Sequence, residues 1–378
     1  MNHLHSSALR IGLVIAALFG AYSSQSAATL YGQANLVSDL PGVATFQDPH
    51  LVNPWGIATS PTSPFWIADN HTGLSTLYKT DGSPQPLVVT LTPTQGATTA
   101  SPTGIVFNGS SGFAGSHFIF ATEDGAINAW TSGTTAAIVA SGIADSVYKG
   151  LTLANNGTSD FLYAANFGTG AIDVFDNTFA STTLSGSFAD PNLPAGYAPF
   201  DIANINGLLY VTYALQNDEH KDDVSGSGHG FVDVYDANGT LLSRFATEGV
   251  LNSPWGLAVA PSHFGQFSNA LLVGNFGDGI INAFDPLTGI LLGQLRDSNA
   301  NPIQIPGLWA LRVGNGGNGG DPNAVYFTAG IPGPDAIEDH GLFGKLAAIP
   351  EPGTLLLLGA GLVGLASSRR NAQPRLAY

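Results

Sequence analysis

The stretch NPWGIATSP at residues 53–61 decides the fold, because the chain returns to it five more times. Related stretches are SPTGIVFNG at 101–109, VYKGLTLAN at 147–155, APFDIANIN at 198–206, SPWGLAVAP at 253–261 and IPGLWALRV at 305–313. Their starting points lie 46 to 55 residues apart. A repeat of this length is typical of propeller blades and related repeat arrays.

Each repeat contains short strand patterns separated by turn residues. In the first repeat, GIATS, FWIADN, LSTLYKT and PLVVTLT are apolar or alternating runs, divided by segments such as HTG and DGSPQ. Such runs between Gly, Asn, Asp and Pro indicate strands and hairpins. Four strands make one blade, so the sequence predicts an all-β, six-bladed β-propeller over residues 29–349. A pair of stacked β-sandwiches is the structural alternative.

The sixth repeat lacks a fourth strand of its own. It contains AVYFTA and GLFGKLAAI, and then the chain enters its C-terminal tail. The segment LYGQANLV at residues 30–37 is a strand pattern that belongs to no repeat. We expect this N-terminal strand to complete the last blade, which would leave no open edge to pair with other molecules.

The N-terminus has the order of features found in a secretory signal peptide. Arg10 precedes the apolar run Ile11–Ala21, and small residues follow, with Ser26 and Ala28 at the −3 and −1 positions of a cleavage site. The sequence therefore predicts a signal peptide over residues 1–28, cleaved after Ala28 by signal peptidase. A buried core helix is the alternative.

The C-terminal segment 350–378 has three parts in a fixed order. A Pro-Glu-Pro triplet is followed by an apolar run and by two arginines: Pro350, Glu351, Pro352, Gly353–Ser368, Arg369 and Arg370. This pattern resembles the PEP-CTERM sorting signal of Gram-negative bacteria. The resemblance implies recognition by an exosortase, transient anchoring in the inner membrane by a short transmembrane helix, tail removal, and delivery to the cell surface or extracellular polysaccharide matrix. An uncleaved anchor is the alternative.

A second resemblance covers nearly all of the chain between these ends. The P-x-G-[IL]-A openings of the repeats resemble NHL-type propellers. The stretches DPHLVNPWGIA at 48–58 and YALQNDEHKDDVSGSGHGFVDVYDANG at 213–239 resemble an uncharacterised family of exported bacterial propeller proteins that often carry this sorting tail. The resemblance implies a propeller and an address in the cell envelope, and it transfers no activity.

Composition excludes several classes of function. The chain has a formal net charge of −16, with 11 Lys and Arg in 378 residues, so phosphate backbones repel it and nucleic acid is not an expected partner. It has no Cys, which excludes disulfides and thiolate metal sites. The sequence contains no G-x-S-x-G, H-E-x-x-H or Walker motif.

The mouth of the propeller channel is the predicted ligand site. In each blade the start of the innermost strand and the turn between the second and third strands lie at the same end. Aromatic rings beside polar tips at this end could bind a sugar or a peptide. The predicted ligand-binding residues are Trp55, Asn70, His71, Phe167, Trp255, Phe276 and Trp309. The alternative is that the aromatic residues pack between blades and the polar ones form hairpin turns.

Two sets of residues are predicted as possible metal ligands. The insertion at 215–230 contains Asp218, Asp222 and Asp223, whose oxygens could bind Ca²⁺ although their spacing is not that of an EF-hand. A solvated acidic loop without metal is the alternative. Glu123, Asn166 and Asp201 come from successive blades and have the chemistry of the calcium site in six-bladed lactonases.

We therefore expect an exported cell-envelope or extracellular-matrix protein that binds a polysaccharide or a matrix protein without catalysis. The alternative is a secreted metal-dependent hydrolase of the six-bladed lactonase type. A third possibility is a structural matrix component in which the ring acts as a rigid spacer.

Overall fold

The computed structural model describes residues 29–334 and 338–350, and its regular secondary structure consists of β-strands and two short 3-10 helices, Phe113–Gly115 and Gly265–Phe267. The predicted signal peptide and the sorting segment from Glu351 onward lie outside the described residues. Within the described ranges, no helix is both long and apolar enough to cross a membrane.

The strands follow the sequence repeats. Two strands precede the repeats: β1 (Tyr31–Ser38) and β2 (Phe46–Gln47). The first repeat forms β3 (Pro54–Ala58), β4 (Phe65–Asp69), β5 (Leu74–Tyr78) and β6 (Val89–Leu91). The second forms β7 (Pro102–Phe107), β8 (Phe118–Thr122), β9 (Ala126–Trp130) and β10 (Thr135–Ser141). The third forms β11 (Tyr148–Asn155), β12 (Asp160–Asn166), β13 (Ala171–Phe175) and β14 (Ser181–Thr182).

The last three repeats continue the pattern. The fourth forms β15 (Tyr197–Ile205), β16 (Leu208–Leu215), β17 (Phe231–Tyr235) and β18 (Leu241–Thr247). The fifth forms β19 (Pro254–Val259), β20 (Leu271–Asn275), β21 (Ile281–Phe284) and β22 (Leu291–Gln294). The sixth supplies β23 (Leu308–Val313), β24 (Val325–Ile331) and β25 (His340–Ala348).

The strands of the described chain form five hydrogen-bonded sheets: one of five strands, one of eight and three of four. The all-β, propeller-like fold is confirmed, but the sheets do not separate into six independent blades. The eight-stranded sheet arises because β10 pairs in parallel with β6, at Thr135 with Thr90 and Ala136 with Leu91. The outer strand β6 is only three residues long, so its free edge accepts the beginning of the longer β10.

The N-terminal strand completes the last sheet, as the sequence predicts. β1 pairs antiparallel with β25, from Tyr31 opposite Ala348 to Ser38 opposite Leu342. Tyr31 is buried against Phe264 and Phe267, and its hydroxyl donates a hydrogen bond to the carbonyl of Phe264 at 3.0 Å. Strand β1 is thus joined both to the sixth repeat and to the fifth.

Glycines allow the innermost strands β3, β7, β11, β15, β19 and β23 to approach one another closely. A Cβ atom on Gly56 would lie 2.6 Å from the carbonyl oxygen of Thr103, and one on Gly104 would lie 2.5 Å from the nitrogen of Leu151. A Cβ on Gly256 would lie 2.4 Å from the carbonyl oxygen of Trp309. These contacts involve backbone, so the repeated glycine is required for neighbouring repeats to pack.

Candidate functional site

A buried ion pair lies where the inner strands begin. The ammonium group of Lys149, at the start of β11, is paired with Glu123 from the turn between β8 and β9. The Lys149 side chain is 2% exposed and that of Glu123 is 14% exposed. Asn70, from the turn between β4 and β5, donates a hydrogen bond to the other oxygen of Glu123 at 2.9 Å. Asp222 lies 3.5 Å from the Lys149 ammonium.

A second group of polar side chains adjoins this pair. The amide nitrogen of Asn53 lies 2.9 Å from an oxygen of Glu338 and 3.2 Å from Nε2 of His71. The indole nitrogen of Trp309 donates to the amide oxygen of Asn53 at 3.2 Å. His71 is the most exposed side chain of this second group. Asn53 therefore connects a buried tryptophan to an acid and a histidine that a ligand can reach.

We call these side chains the mouth cluster, defined as Asn53, Asn70, His71, Glu123, Lys149, Asp222 and Glu338. They come from five turns or loops and one strand start, and the contacts above place them at one end of the molecule. The expectation that inner-strand starts and second turns share one mouth agrees with these contacts.

Burial controls the protonation of the cluster. Burial and the nearby carboxylate of Glu123 raise the pKa of Glu338 to about 7. Burial acts to raise the pKa of Glu123, but the ammonium of Lys149 more than compensates and holds it below its ordinary value. For Lys149, burial acts to lower the pKa, but the carboxylate of Glu123 more than compensates and raises it, so the ion pair remains charged. Burial lowers the pKa of His71.

Aromatic side chains close the channel beneath the mouth cluster. We call Trp55, Phe167, Phe200, Trp255, Phe276 and Trp309 the aromatic plug; all six are buried in one core cluster. The rings of Trp55 and Trp309 are stacked with centroids 3.5 Å apart, and Trp309 stacks on Phe276 at 4.1 Å. The Lys149 ammonium lies 4.9 Å from the centroid of the Trp55 ring, a distance suited to a cation–π contact.

This packing buries most of the predicted ligand-binding residues. Five of the seven, namely Trp55, Phe167, Trp255, Phe276 and Trp309, belong to the plug and contact one another. Asn70 is also buried, and its amide is bonded to Glu123. His71 is the member of the predicted set that is exposed at the mouth. A ligand at the mouth would meet polar groups first and the aromatic rings only below them.

Two residues before proline have an unusual backbone conformation. Asn53 has φ of 47° and Ser253 has φ of 46°, both in the left-handed region. The hydroxyl of Ser253 is buried, and the side chain of Asp223 lies next to it. Backbone strain of this kind costs free energy and occurs frequently at functional sites. Both residues open a Pro-Trp-Gly stretch, at the start of β3 and of β19.

The lactonase-like set Glu123, Asn166 and Asp201 does not share one group of contacts. Glu123 is engaged by Lys149, whereas the amide of Asn166 bonds to Ser146 at 3.0 Å and to Asp173 at 2.8 Å. Asp201 lines the central channel. Over residues 29–334 and 338–350, no group of three or more His, Asp or Glu side chains is arranged to hold a metal ion.

The acidic residues of the 215–230 loop also point to different partners. Asp222 is 60% exposed and faces Lys149. Asp223 accepts a hydrogen bond from Ser225 at 2.9 Å, and burial raises its pKa. Asp218 is exposed and lines a separate surface hollow with Glu219, His220 and Lys221. A role for the loop in Ca²⁺ binding stays a prediction.

Sequence reasoning did not identify three members of the mouth cluster: Asn53, Lys149 and Glu338. Lys149 could have been noticed, because the repeats place Trp55, Thr103, Phe200, Trp255 and Trp309 at the equivalent position. A lysine among these residues requires a buried counter-ion. Glu338 lies in an irregular segment, and nothing local in the sequence shows that it reaches Asn53.

Comparison with known proteins identifies the C-terminal signal and two relatives. Residues 348–370 match the PEP-CTERM protein-sorting motif, which indicates an exported protein sorted by an exosortase. Uncharacterized protein R648 of Acanthamoeba polyphaga mimivirus is 31% identical over 334 residues, covering 83% of this chain and 80% of the relative. Uncharacterized protein L690 of the same virus is 31% identical over 331 residues, covering 82% and 84%.

Solved structures similar to this chain have low sequence identity to it. A glucose dehydrogenase superposes with a TM-score of 0.54 and 11% identity, over 84% of this chain and all of that one. Virginiamycin B lyase from Staphylococcus aureus gives a TM-score of 0.49 and 13% identity, over 85% and 100%. At these identities the likeness concerns the fold alone. The narrower resemblance to exported bacterial NHL-like proteins stays a prediction.

Proposed function

We propose that this chain, which belongs to the same family as the uncharacterized mimivirus proteins, is a surface or matrix protein that binds a polysaccharide at the mouth cluster. One observation carries the proposal: a connected set of amide, carboxylate and imidazole groups lies at the channel mouth of a chain that bears an export-sorting motif. Such groups both donate and accept hydrogen bonds, as the hydroxyls of a sugar require.

The charge balance favours a neutral ligand. The chain carries a net charge of −16, and Lys149 is already paired with Glu123. A phosphorylated or strongly acidic polymer would meet an unfavourable field at this mouth. Neutral hydroxyl groups avoid that field and can form hydrogen bonds with the exposed His71 and with Glu338, which contacts the same Asn53 amide.

We further propose that the propeller has six blades. The parallel contact between β6 and β10 is two residue pairs long, so the eight-stranded sheet acts as two four-stranded blades. Processing by signal peptidase after Ala28, membrane anchoring by the segment Gly353–Ser368 and tail removal by the exosortase also belong to this proposal.

Binding to the extracellular polysaccharide of the producing bacterium tests the function. His71→Ala should weaken binding because it removes an exposed polar group at the mouth. Asn53→Ala should weaken binding because it removes the amide that holds His71 and Glu338 in place. His263→Ala is the matched control, since His263 is an exposed histidine in the loop between β19 and β20. Equal binding by His71→Ala, Asn53→Ala and wild type would contradict the proposal. Mass spectrometry of the surface protein should find no Arg370, and an intact tail would contradict its removal.

A secreted hydrolase is the second candidate, and Glu338 is the observation that favours it. A carboxylic acid whose pKa is about 7 can exchange a proton near neutral pH, as a general acid or base must. Its neighbours at the mouth, Asn53 and His71, could position a substrate.

Lactone and ester turnover, measured with and without a chelator, tests this candidate. Adding Ca²⁺ to chelator-treated protein distinguishes a metal-dependent hydrolase from one that needs no metal. A ligand that binds the native state at a hundredfold excess over its dissociation constant should stabilise the protein by about 2.7 kcal/mol. Absence of both turnover and stabilisation would exclude the metal-dependent hydrolase.

A further inference from the structure

The central channel contains a cavity on the far side of the aromatic plug from the mouth cluster. Its volume is about 440 Å³, and it is lined by residues from all six innermost strands. Apart from the plug residue Trp255, the lining begins at the repeated glycine, with Gly56 and Gly104, and continues along the strands to Asn206 and Val313. The plug residues Trp55 and Trp309 precede this lining in their strands. The cavity and the mouth cluster are therefore separate sites.

One carboxyl group lines this channel at the level of the repeated glycines. The repeats place Gly56, Gly104, Gly150, Gly256 and Ala310 at equivalent positions, and the fourth repeat has Asp201 instead. Asp201 is 8% exposed, and no Lys, Arg or His nitrogen of the described residues lies within 4 Å of its carboxylate. A Cβ on Gly150 would lie 2.3 Å from Oδ1 of Asp201, so the neighbouring glycine makes the space that this carboxyl group occupies.

One guanidinium group lines the same cavity without a counter-ion. Arg312, in β23, donates to the hydroxyl of Thr59 at 3.1 Å, and within residues 29–334 and 338–350 it forms no ion pair. Burial lowers the pKa of Arg312 and raises that of Asp201 well above its usual range. Burial thus disfavours the ionised form of both groups, and neither has an oppositely charged partner among the described residues.

An acidic and a basic side chain that share a cavity without pairing favour a ligand that carries both a cationic and an anionic group. An unpaired buried charge is costly, and a ligand with the opposite charge removes that cost. A molecule with one positive and one negative group satisfies both residues at once. We propose that the channel binds a small zwitterion of the amino-acid class, with its ammonium group at Asp201 and its carboxylate at Arg312.

The dimensions of the channel indicate which amino acids fit. Arg312 lies two residues further along its strand than Ala310, the equivalent of Asp201. Two residues of β-strand advance about 6.6 Å, so the two charges of the ligand should be separated by several bonds. A cavity of about 440 Å³ is within the range that small ligands occupy. An ω-amino acid meets both conditions better than an α-amino acid.

Isothermal titration calorimetry of the full-length chain tests the proposal with defined probes. The zwitterions are glycine, 4-aminobutyrate and 6-aminohexanoate, and the one-charge analogues are butylamine and butyrate. We expect 4-aminobutyrate or 6-aminohexanoate to bind, and each one-charge analogue to bind at least about tenfold more weakly, because a charge-assisted contact is lost. No binding by any zwitterion would overturn the proposal, and so would an analogue that binds as tightly as the zwitterion.

Variants assign the two contacts. Asp201→Asn and Arg312→Gln should each lower the affinity for the zwitterion by about tenfold or more. Asp81→Asn removes an exposed carboxylate in the turn before β6 and should bind like wild type. Unchanged affinity in both channel variants would overturn the assignment. If Arg312→Gln does not fold, two measurements still test the contact with the ligand carboxylate. One is the affinity of Arg312→Lys for the zwitterion, and the other is the affinity of wild type for butylamine, which has no carboxylate. Polysaccharide binding at the mouth should not change in these variants, which separates this test from that of the proposed function.

Discussion

Replacing Lys149 by methionine tests the central contact of the mouth cluster. Methionine keeps most of the length and apolar surface of the lysine side chain but removes its charge. Glu123 then remains 14% exposed with no cation paired to it. Loss of one partner from a buried ion pair typically costs about 3–5 kcal/mol. The variant also loses the cation–π contact with Trp55, which adds about 1 kcal/mol or less.

Thermal unfolding by circular dichroism measures this cost. The unfolding entropy near 60 °C is about 2.1 cal/mol/K per residue, which gives about 0.7 kcal/mol/K for the roughly 320 described residues. A loss of about 3–5 kcal/mol should therefore lower the midpoint by about 4–7 °C. Lys79→Met is the matched control, because Lys79 is exposed at the end of β5, and its stability should stay within about 0.5 kcal/mol of wild type.

A double variant separates the ion pair from other losses. Glu123→Gln alone leaves the Lys149 ammonium buried, whereas Lys149→Met with Glu123→Gln removes both charges. The double variant should be at least about 2 kcal/mol more stable than the sum of the single effects predicts. Additive losses, or a Lys149→Met variant within about 1 kcal/mol of wild type, would refute the reasoning that burial makes each charge depend on the other.

Three further predictions concern protonation and packing. The native state holds the Glu338 proton more tightly than the unfolded chain, whose value is 4.5. Stability due to Glu338 is therefore complete below about pH 4.5 and falls by at most about 3 kcal/mol as the pH rises through about 7; Glu338→Gln should flatten this slope in denaturant titrations at several pH values. Gly104→Ala should destabilise by about 1–3 kcal/mol in urea unfolding, because its Cβ would lie 2.5 Å from the nitrogen of Leu151. Gly32→Ala, with Ile349 at 3.7 Å, should cost less, and equal losses would contradict the clash. Tyr31→Phe should cost about 1 kcal/mol by thermal unfolding, because the carbonyl of Phe264 loses its buried donor; no loss would show that the closing strand does not depend on this bond.

Much of the fold could be predicted because each repeat is recognised from residues that are close together in the chain. The phrase around Trp55 marks the start of an inner strand, and its recurrence predicts equivalent strands at Trp255 and Trp309 without knowledge of contacts. The pairing of β1 with β25 was predictable for a related reason, since one strand pattern was left over and one repeat was incomplete. The parallel contact between β6 and β10 was not, because it depends on the path of two loops.

The candidate site was less accessible to prediction. The repeat predicts that Trp55 and Trp309 lie near the start of inner strands, but whether their rings face a ligand or each other depends on side-chain packing across blades. Glu338 and Asn53 are 285 residues apart in the chain, and no periodic pattern connects them. Sequence reasoning finds positions that repeat, whereas a binding site is assembled from the positions that differ between repeats.

Asp201 shows what the sequence and the tertiary structure each determine. The sequence by itself determined the repeat length, the strands, the closing N-terminal strand and the C-terminal sorting motif, because each of these is encoded in neighbouring residues. It also contained the replacement of a repeated glycine by Asp201. Only the tertiary structure decided that this carboxyl group and Arg312 line one cavity without pairing. It also decided that Lys149 and Glu123 pair in the mouth cluster, on the other side of the aromatic plug. The physical reason is that charge compensation depends on distance and solvent access in three dimensions, which strand periodicity does not specify.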